Sequence, residues 1–511
     1  MSPAVLSAAE VRAAIAAVLG DAVADDDDLL QLGMDSIQVM RLAGQWRAVG
    51  LDITYAELIE HRTPRQWQAL LAVKAACAGT SGGPARPAAP AADPAAPFEL
   101  APMQLAYWVG RDDGQLLGGV GAQFYCEFDG AGVSPSRIEQ AMLAVAARHG
   151  MLRARFRDDG RQEILPATAW AGVTVHDLSA FDPDAAAVEA GRIRARLSRR
   201  PMAAERGEVF DVQVSLLPGG PTRVHLTIEM LVCDAQSFQV LLADLACAYA
   251  APAVPLPPLH YDFRQYLADR SGARERHREA DRAWWQQRVP ALPGPPQLPL
   301  ARQPGQLACR TPWRRCHTVP AAAWKALADQ ARARSVLLSM ALATAFAEVV
   351  SAWSNSPSFL LNMPFYDRDA SHPETGQIIG DFTNLVLVAA DMSGDVPFAA
   401  RVRQLHERFH ADLAHAAYAG IDVMRDISRA HPASGSPAPV VFTSAVNLGE
   451  LFGEQLRRVL GVPGYTSSVT PQVWLDCQVT ERGGELFVNW DAVEELFPAG
   501  VLEEMFGAFC G

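Results

Sequence analysis

Apolar residues recur at helical spacing through the first 77 positions and give way to strand-like runs after position 97. Ser7-Ala-Ala-Glu10 reads as a capping box that opens a helix, with Val11, Ile15 and Val18 on one face. Thr63-Pro64-Arg65-Gln66 reads as a second box, with Pro at the first helical position, ahead of Trp67, Leu70 and Leu71. Between them a helix beginning at Asp35 or Ser36 sets Ile37, Met40 and Ala43 on its apolar side. Residues 1–77 are therefore expected to form a small all-α four-helix bundle. From 98 to 511, runs such as "AQFYCEFDG", "RVHLTIEML", "FLLNMPFY" and "ELFVNWD" alternate with helical stretches such as "RIEQAMLAVAARH". That alternation predicts an α+β domain of two lobes, an N-lobe over about 98–270 and a C-lobe over about 271–511. The intervening "AGTSGGPARPAAPAADPAAP", residues 78–97, cannot build a packed core and reads as a flexible linker. If wholly polyproline-like, at about 3.1 Å per residue, it reaches roughly 60 Å.

Composition narrows the function. A formal charge of −13 with no run of Lys and Arg excludes a nucleic-acid footprint. The eight cysteines show no CxxC pair and no Cys/His cluster at metal-ligand spacing, and the nearest pair, Cys309 and Cys316, has no companions. We expect reduced, mostly buried thiols and no metal. The N-terminus lacks a basic n-region followed by an apolar core, and no apolar run is long enough to span a bilayer. The expectation is a cytoplasmic protein without membrane contact. No GxGxxG follows a strand and no GxxxxGK[ST] occurs, so no nucleotide loop is indicated.

Three sets of residues are candidates for chemistry. In "IEMLVCDAQS" two acids, Glu229 and Asp234, interrupt an apolar run. They either hold the fold, each paired with an Arg and backbone N–H groups, or act as a general base. The structural role is preferred for Asp234, and Glu229 is open between the two. In "LLQLGMDSIQVMRL", Ser36 stands at a helix start, where a lone Asp-Ser pair would ordinarily be only a cap. Here "LGMDSI" within a four-helix segment resembles the phosphopantetheine attachment motif of acyl and peptidyl carrier proteins, over residues 6 to 76. The resemblance makes Ser36 the hydroxyl that carries 4'-phosphopantetheine, attached by a phosphopantetheinyl transferase.

Past the linker, seven segments resemble in order the signature motifs of the heterocyclization domains of nonribosomal peptide synthetases. They are "FELAPMQLAYWVGR", "RHGMLRARF", "LPATAWAGVTVHDL", "LPGPPQLPL", "GDFTNLVLV", "PVVFTS" and "TPQVWLDCQ". Where that family carries DxxxxDxxS, this chain has Glu229, Asp234 and Ser237. Ordinary condensation domains carry HHxxxDG at this place, and alignment on Asp234 puts Met230 at the position of the second His. A thioether cannot exchange a proton. The resemblance assigns ring closure and loss of water to Thr443 and Asp476, with Gln478 and Asn362 as polar liners of the same cavity. Two departures stand out: Cys477 follows Asp476 where the family commonly has His, and "TSAVNLG" carries extra residues after the Thr-Ser pair.

As a whole the chain resembles an aryl carrier plus heterocyclization didomain of the siderophore-type synthetases, as for yersiniabactin and pyochelin. Several expectations follow from the resemblance. The large domain has two chloramphenicol-acetyltransferase-like lobes with a tunnel between them. A separate adenylating ligase loads an aryl acid in trans, and the acceptor is a Cys, with Ser or Thr second, on a downstream carrier. The product is an aryl thiazoline or oxazoline. Downstream adenylation and peptidyl carrier domains are implied, so the chain is read as a piece of a longer synthetase. Condensation without cyclization, or a decayed scaffold, are the alternatives, and the identity of the aryl acid stays open.

Overall fold

Ser7 forms its capping box, accepting from the Glu10 N–H while the Glu10 carboxylate receives the Ser7 N–H at 2.7 Å. The box at Thr63 also closes, through Gln66. This computed structural model describes residues 6–29, 32–34, 36–80, 96–307, 312–370, 372–431, 435–446 and 448–511. Asp35, Cys309 and most of the expected linker lie outside those residues.

Four helices form the first unit: α1 (Ala8–Leu19), α2 (Ser36–Ala48), α3 (Tyr55–Ile59) and α4 (Pro64–Thr80). The last of these runs three residues into the stretch expected to be linker, because Ala78, Gly79 and Thr80 continue its backbone pattern. Val11, Ile15, Leu42, Trp46, Trp67 and Leu71 bury in the core, where the Trp46 and Trp67 rings meet edge to face at 5.6 Å. Trp67 Nε1 donates to the Leu58 carbonyl at 2.8 Å, so the indole is satisfied inside the bundle. On α2 the buried stripe is Val39, Leu42, Ala43 and Trp46, one position round the helix from the Met40-centred stripe expected. Met40 instead packs, with Tyr55, against the C-lobe core. Arg47 pairs with Asp369 at 3.0 Å and Tyr55 stacks on His410, so the bundle rests on the C-lobe through α2 and α3.

The N-lobe follows in chain order: β1 (Phe98–Glu99), α5 (Pro102–Gly110), β2 (Gln123–Ala131), α6 (Pro135–Arg148), β3 (Ala154–Phe156), β4 (Arg161–Ile164), β5 (Thr174–Asp177), α7 (Pro183–Leu197), β6 (Phe210–Leu216), β7 (Pro221–Glu229), α8 (Ala235–Ala250) and α9 (Phe263–Arg288). The C-lobe holds β8 (Pro312–Val319), α10 (Ala321–Ala333), α11 (Leu338–Ala352), β9 (Ser358–Tyr366), β10 (Thr383–Asp391), α12 (Phe398–Leu413), α13 (Gly420–Ala430), β11 (Val440–Ala445), α14 (Glu454–Leu460), β12 (Val462–Val469), β13 (Leu475–Arg482), β14 (Glu485–Val493) and α15 (Val501–Cys510). Six strands in the order β10-β9-β11-β13-β14-β8 form the C-lobe sheet.

Sequence order assigns β12 to the C-lobe, yet it is the edge strand of the N-lobe sheet, β12-β2-β7-β6-β5, antiparallel to β2. The crossing brings backbones into close contact. A Cβ on Gly461, at φ +99°, would lie 2.0 Å from the Asp129 carbonyl oxygen, and one on Gly130 would lie 2.5 Å from that of Leu460. Only glycine fits both places.

A second tie is polar. Asp234 caps α8, and its Oδ1 accepts from the Ser237 N–H at 2.7 Å and from Arg368 Nη2 at 3.2 Å. Its Oδ2 accepts the Phe382 N–H at 3.2 Å. Ser237 Oγ donates to the Gly380 carbonyl at 2.7 Å and receives the Gly380 N–H at 3.1 Å. The N-terminus of an N-lobe helix is thereby joined to the C-lobe loop before β10, and Ile378, Ile379 and Phe382 of that loop bury in the N-lobe core. Asp234→Ala would leave the Arg368 guanidinium buried without its carboxylate, a loss of about 3–5 kcal/mol. Ser237→Ala should cost about 1–2 kcal/mol. Urea unfolding of the variants reads both; wild-type midpoints would refute the tie.

Candidate active site

A cavity of about 270 Å³ lies between the lobes. Tyr107 of α5, Met230 and Asp234 face it from the N-lobe, and Asn362, Thr443 and Asp476 from the C-lobe. Strand alternation sets the second group on one face of the sheet. In register, Val441 of β11 lies opposite Asp476 of β13 and beside Asn362 of β9, and Thr443 lies opposite Gln478. The intervening Phe442 and Cys477 point to the other face and bury in the C-lobe core. Cys477, standing where the family commonly has His, is therefore a core residue, and burial pushes its thiol well above the usual range.

Thr443 and Asp476 meet: Thr443 Oγ1 donates to Asp476 Oδ1 at 3.2 Å. Gln478 Nε2 donates to Asp476 Oδ2 at 2.6 Å and to Ser468 Oγ at 2.7 Å, while Asn489 Nδ2 donates to Gln478 Oε1 at 3.2 Å. Behind them, Arg314 holds Asp491 with Nε to Oδ1 at 2.6 Å. Burial pushes the Asp476 carboxyl up to about 7, helped by the like charge of Asp491 and opposed by the donors Gln478 and Thr443 and by Arg314. A carboxyl balanced near neutrality, with both oxygens held, is equipped to take and return a proton. Asn362 lines the cavity with its Oδ1 unpartnered. In the "TSAVNLG" stretch, Leu448 and Gly449 line the cavity and their carbonyls accept from Gln239 of α8, at 3.2 and 3.3 Å. Asn447 lies outside the described residues.

The two acids of "IEMLVCDAQS" part company. Asp234 belongs to the tie between lobes. Glu229 ends β7, fully buried, and its Oε1 accepts from Arg111 Nη1 at 2.8 Å. It does not line the cavity. Burial raises its carboxyl to about 7 although Arg111 opposes the shift. Met230, next in the chain, does line the cavity, so no imidazole stands there. Ser237 lies in the tie rather than on the cavity wall.

Three cavity residues escape a motif reading. Asn489 and Ser468 arrive on β14 and β12, which carry no motif, and Ser468 comes from the strand that crosses over. Asp381 sits inside the quoted "GDFTNLVLV", where its signal was an acid flanked by Gly and Phe in an otherwise apolar run. Of the described cysteines, Cys126, Cys233 and Cys477 are buried but Cys247 and Cys316 are exposed, so the expectation of mostly buried thiols holds for half of the six. Among the described residues no group of three His, Cys, Asp or Glu could hold a metal ion, and no single helix is long and apolar enough to cross a membrane.

Ser36 opens the 13-residue helix α2, three positions after Gly33, which lies in a turn at φ +90°. A helix N-terminus favours an anionic phosphodiester, so the position fits a phosphopantetheine arm.

Glu229→Ala should lower stability by about 3 kcal/mol, since it strands a half-buried guanidinium. Thermal unfolding checks this. An unchanged melting temperature with a collapsed turnover would return Glu229 to the reacting groups.

The condensation-domain family matches residues 100–509, and the phosphopantetheine attachment site family matches residues 9–71. Phenyloxazoline synthase MbtB of Mycobacterium bovis is 41% identical over 502 residues, covering 97% of this chain and 35% of the relative. Pyochelin synthetase PchE of Pseudomonas aeruginosa is 38% identical over 495 residues, covering 96% of this chain and 34% of the relative. The chain thus spans about a third of the length of these relatives. Among solved structures, the EpoB cyclization-docking bidomain from Sorangium cellulosum superposes with a TM-score of 0.77 at 30% identity, covering 88% of this chain and 91% of that one. Two matches in tandem, on the bundle and on the bilobal unit, place the protein: it belongs to the condensation-domain family of nonribosomal peptide synthetases, preceded in the same chain by a phosphopantetheine carrier domain.

Proposed function

We propose that the carrier presents an aryl acid as a thioester, and that the bilobal domain joins it to the amine of a carrier-bound Cys, Ser or Thr and closes the product to an aryl thiazoline or oxazoline, in siderophore-type biosynthesis. The observation that carries this reading is the Thr443–Asp476 pair on adjacent strands at the cavity wall, in a chain that also holds Ser36 on a carrier. When bound at Ser36, 4'-phosphopantetheine supplies the thiol that holds the acyl group. Asp476 takes the proton of the acceptor's side-chain thiol or hydroxyl as that atom adds to the new amide carbonyl. The same carboxyl then returns that proton to the adduct's oxyanion, giving a hydroxyl. As the adduct nitrogen forms the C=N bond it gives up its N–H proton, which Asp476 relays to the hydroxyl so that the hydroxyl leaves as water. Thr443 and Gln478 keep the two oxygens aimed while the charge on Asp476 changes. Asn362 offers a further polar group on the same wall.

The names of the relatives support a heterocycle, and the phenyloxazoline synthase puts an oxygen ring beside the sulfur ring first preferred. A separate adenylating ligase would load the carrier in trans, a phosphopantetheinyl transferase would modify Ser36, and adenylation and peptidyl carrier domains would supply the acceptor.

Mass spectrometry of reactions with cysteinyl, seryl and threonyl carriers tests the reading. Loss of one water from the amide marks a ring, an uncyclized amide marks condensation alone, and no transfer defeats the proposal. Ser36→Ala should gain no mass from the transferase. Asp476→Asn should still form the amide but slow ring closure by about 100-fold or more. With Asp476 acting first as base, ring closure from a supplied linear amide should rise as pH climbs through about 7, and the variant should lose that limb.

A further inference from the structure

Amide formation needs a group that accepts a proton from the attacking amine, and the acids considered so far are engaged elsewhere. Met230 has no proton chemistry. Glu229 is closed off against Arg111, Asp234 is bonded on both oxygens in the tie between lobes, and Asp476 is held by Thr443 and Gln478. Two carboxyls on the cavity wall are left: Glu481, partly exposed and accepting from Trp324 Nε1 at 3.2 Å, and Asp381, which is buried. Asp381 is 2% exposed and lines the cavity from the loop before β10. Its Oδ1 accepts the Thr383 N–H at 3.0 Å, and its Oδ2 is buried with no partner. Among the described residues no cation pairs with it.

The groups facing Asp381 make it a site for an arriving positive charge. Asp234 adds a like charge, and Tyr107 of α5 lies within electrostatic range. Arg368, whose guanidinium lies over the Phe382 ring, is consumed: Nη1 donates to the Thr375 and Ile378 carbonyls at 2.8 Å each, and Nη2 to Ser237 Oγ at 2.6 Å and to Asp234 at 3.2 Å. Burial accordingly pushes the Asp381 carboxyl up to about 8, with Asp234 adding to the shift and Thr383 opposing it. A half-bonded carboxyl in a largely apolar cavity is stabilised by a cation that brings its own donors.

Resting on the function proposed above, we propose that Asp381 is the catalytic base of amide formation, binding the α-ammonium of the carrier-bound acceptor amino acid through its free Oδ2. The ammonium gives one proton to the Asp381 carboxylate and attacks as the neutral amine. The N–C bond forms, the C–S bond of the acyl thioester breaks, and the amine's second proton neutralises the departing thiolate. Asp381, now a neutral acid, returns its proton to solvent. Condensation and cyclization thus use different carboxyls of one cavity, Asp381 for the first and Asp476 for the second.

The two steps can be assayed separately, with aminoacyl acceptor plus aryl donor for the first and a supplied carrier-bound linear amide for the second. Asp381→Asn keeps the oxygen that takes the Thr383 N–H, so it preserves the local turn. Amide formation should fall about 100-fold, far more than ring closure, and Asp381→Glu should recover part of the loss. Equal slowing of both steps, a Glu variant no better than Asn, or condensation at the wild-type rate would each overturn the assignment. Independently of any variant, an aminoacyl-pantetheine should compete for the wild-type acceptor site at least about tenfold better than its deamino counterpart, as expected for a charge-assisted contact. Equal competition would also overturn it. Wild-type protein that makes no amide would instead remove the function on which the proposal rests.

Discussion

The Asp234 carboxylate is the constraint on which the site depends. It begins α8 and is bonded by groups of both lobes, so the N-lobe cannot shift relative to the loop before β10 without stranding a charge in a dry interior. The crossing of β12 adds a main-chain tie at the far side of the same seam, where Gly130 and Gly461 let two backbones touch. Between these ties the lobes leave the cavity open. Thr443 of β11 and Asp476 of β13 then face N-lobe side chains across a fixed gap, the preorganisation that the proposed acyl transfer and dehydration would require.

Four buried acids near this seam show how environment divides one functional group into several roles. Asp234 and Glu229 each meet an arginine and hold structure. Asp476 meets neutral donors and is left near neutrality, suited to exchanging a proton. Asp381 meets Thr383 and no cation among the described residues, and its Oδ2 is unpartnered. The distinction lies in partners and position rather than in residue type: Glu229 meets Arg111 away from the cavity, Asp234 meets Arg368 in the tie, and Asp476 meets Thr443 and Gln478 on the cavity wall.

Much of the architecture was legible because its signals are short-range. Both capping boxes form, since each needs only four consecutive residues. The runs "AQFYCEFDG", "RVHLTIEML", "FLLNMPFY" and "ELFVNWD" became β2, β7, β9 and β14. The ordered motifs led to Thr443, Asp476 and Gln478, and the strand-like run "FLLNMPFY" holds Asn362; all four line one cavity. The misreadings concern long-range packing. Periodicity places Met40 on the apolar face of its helix but does not say which neighbour covers that face, and the C-lobe covers it. The segment carrying β12 reads like any half-buried edge strand, and nothing local tells which sheet it joins.

The chain by itself therefore determined the helical bundle, the bilobal α/β unit and the identity of the groups able to do chemistry, because propensity, capping and motif order are properties of neighbouring residues. Tertiary structure alone decided which acids are neutralised and which stay available. A carboxyl's protonation and reach depend on burial and on the groups that folding sets around it, which for Glu229 and Asp234 come from more than a hundred residues away. Glu229 and Asp234, five positions apart, ended as anchors for this reason, while Asp381, hidden in an apolar run, was left with a free oxygen in the cavity.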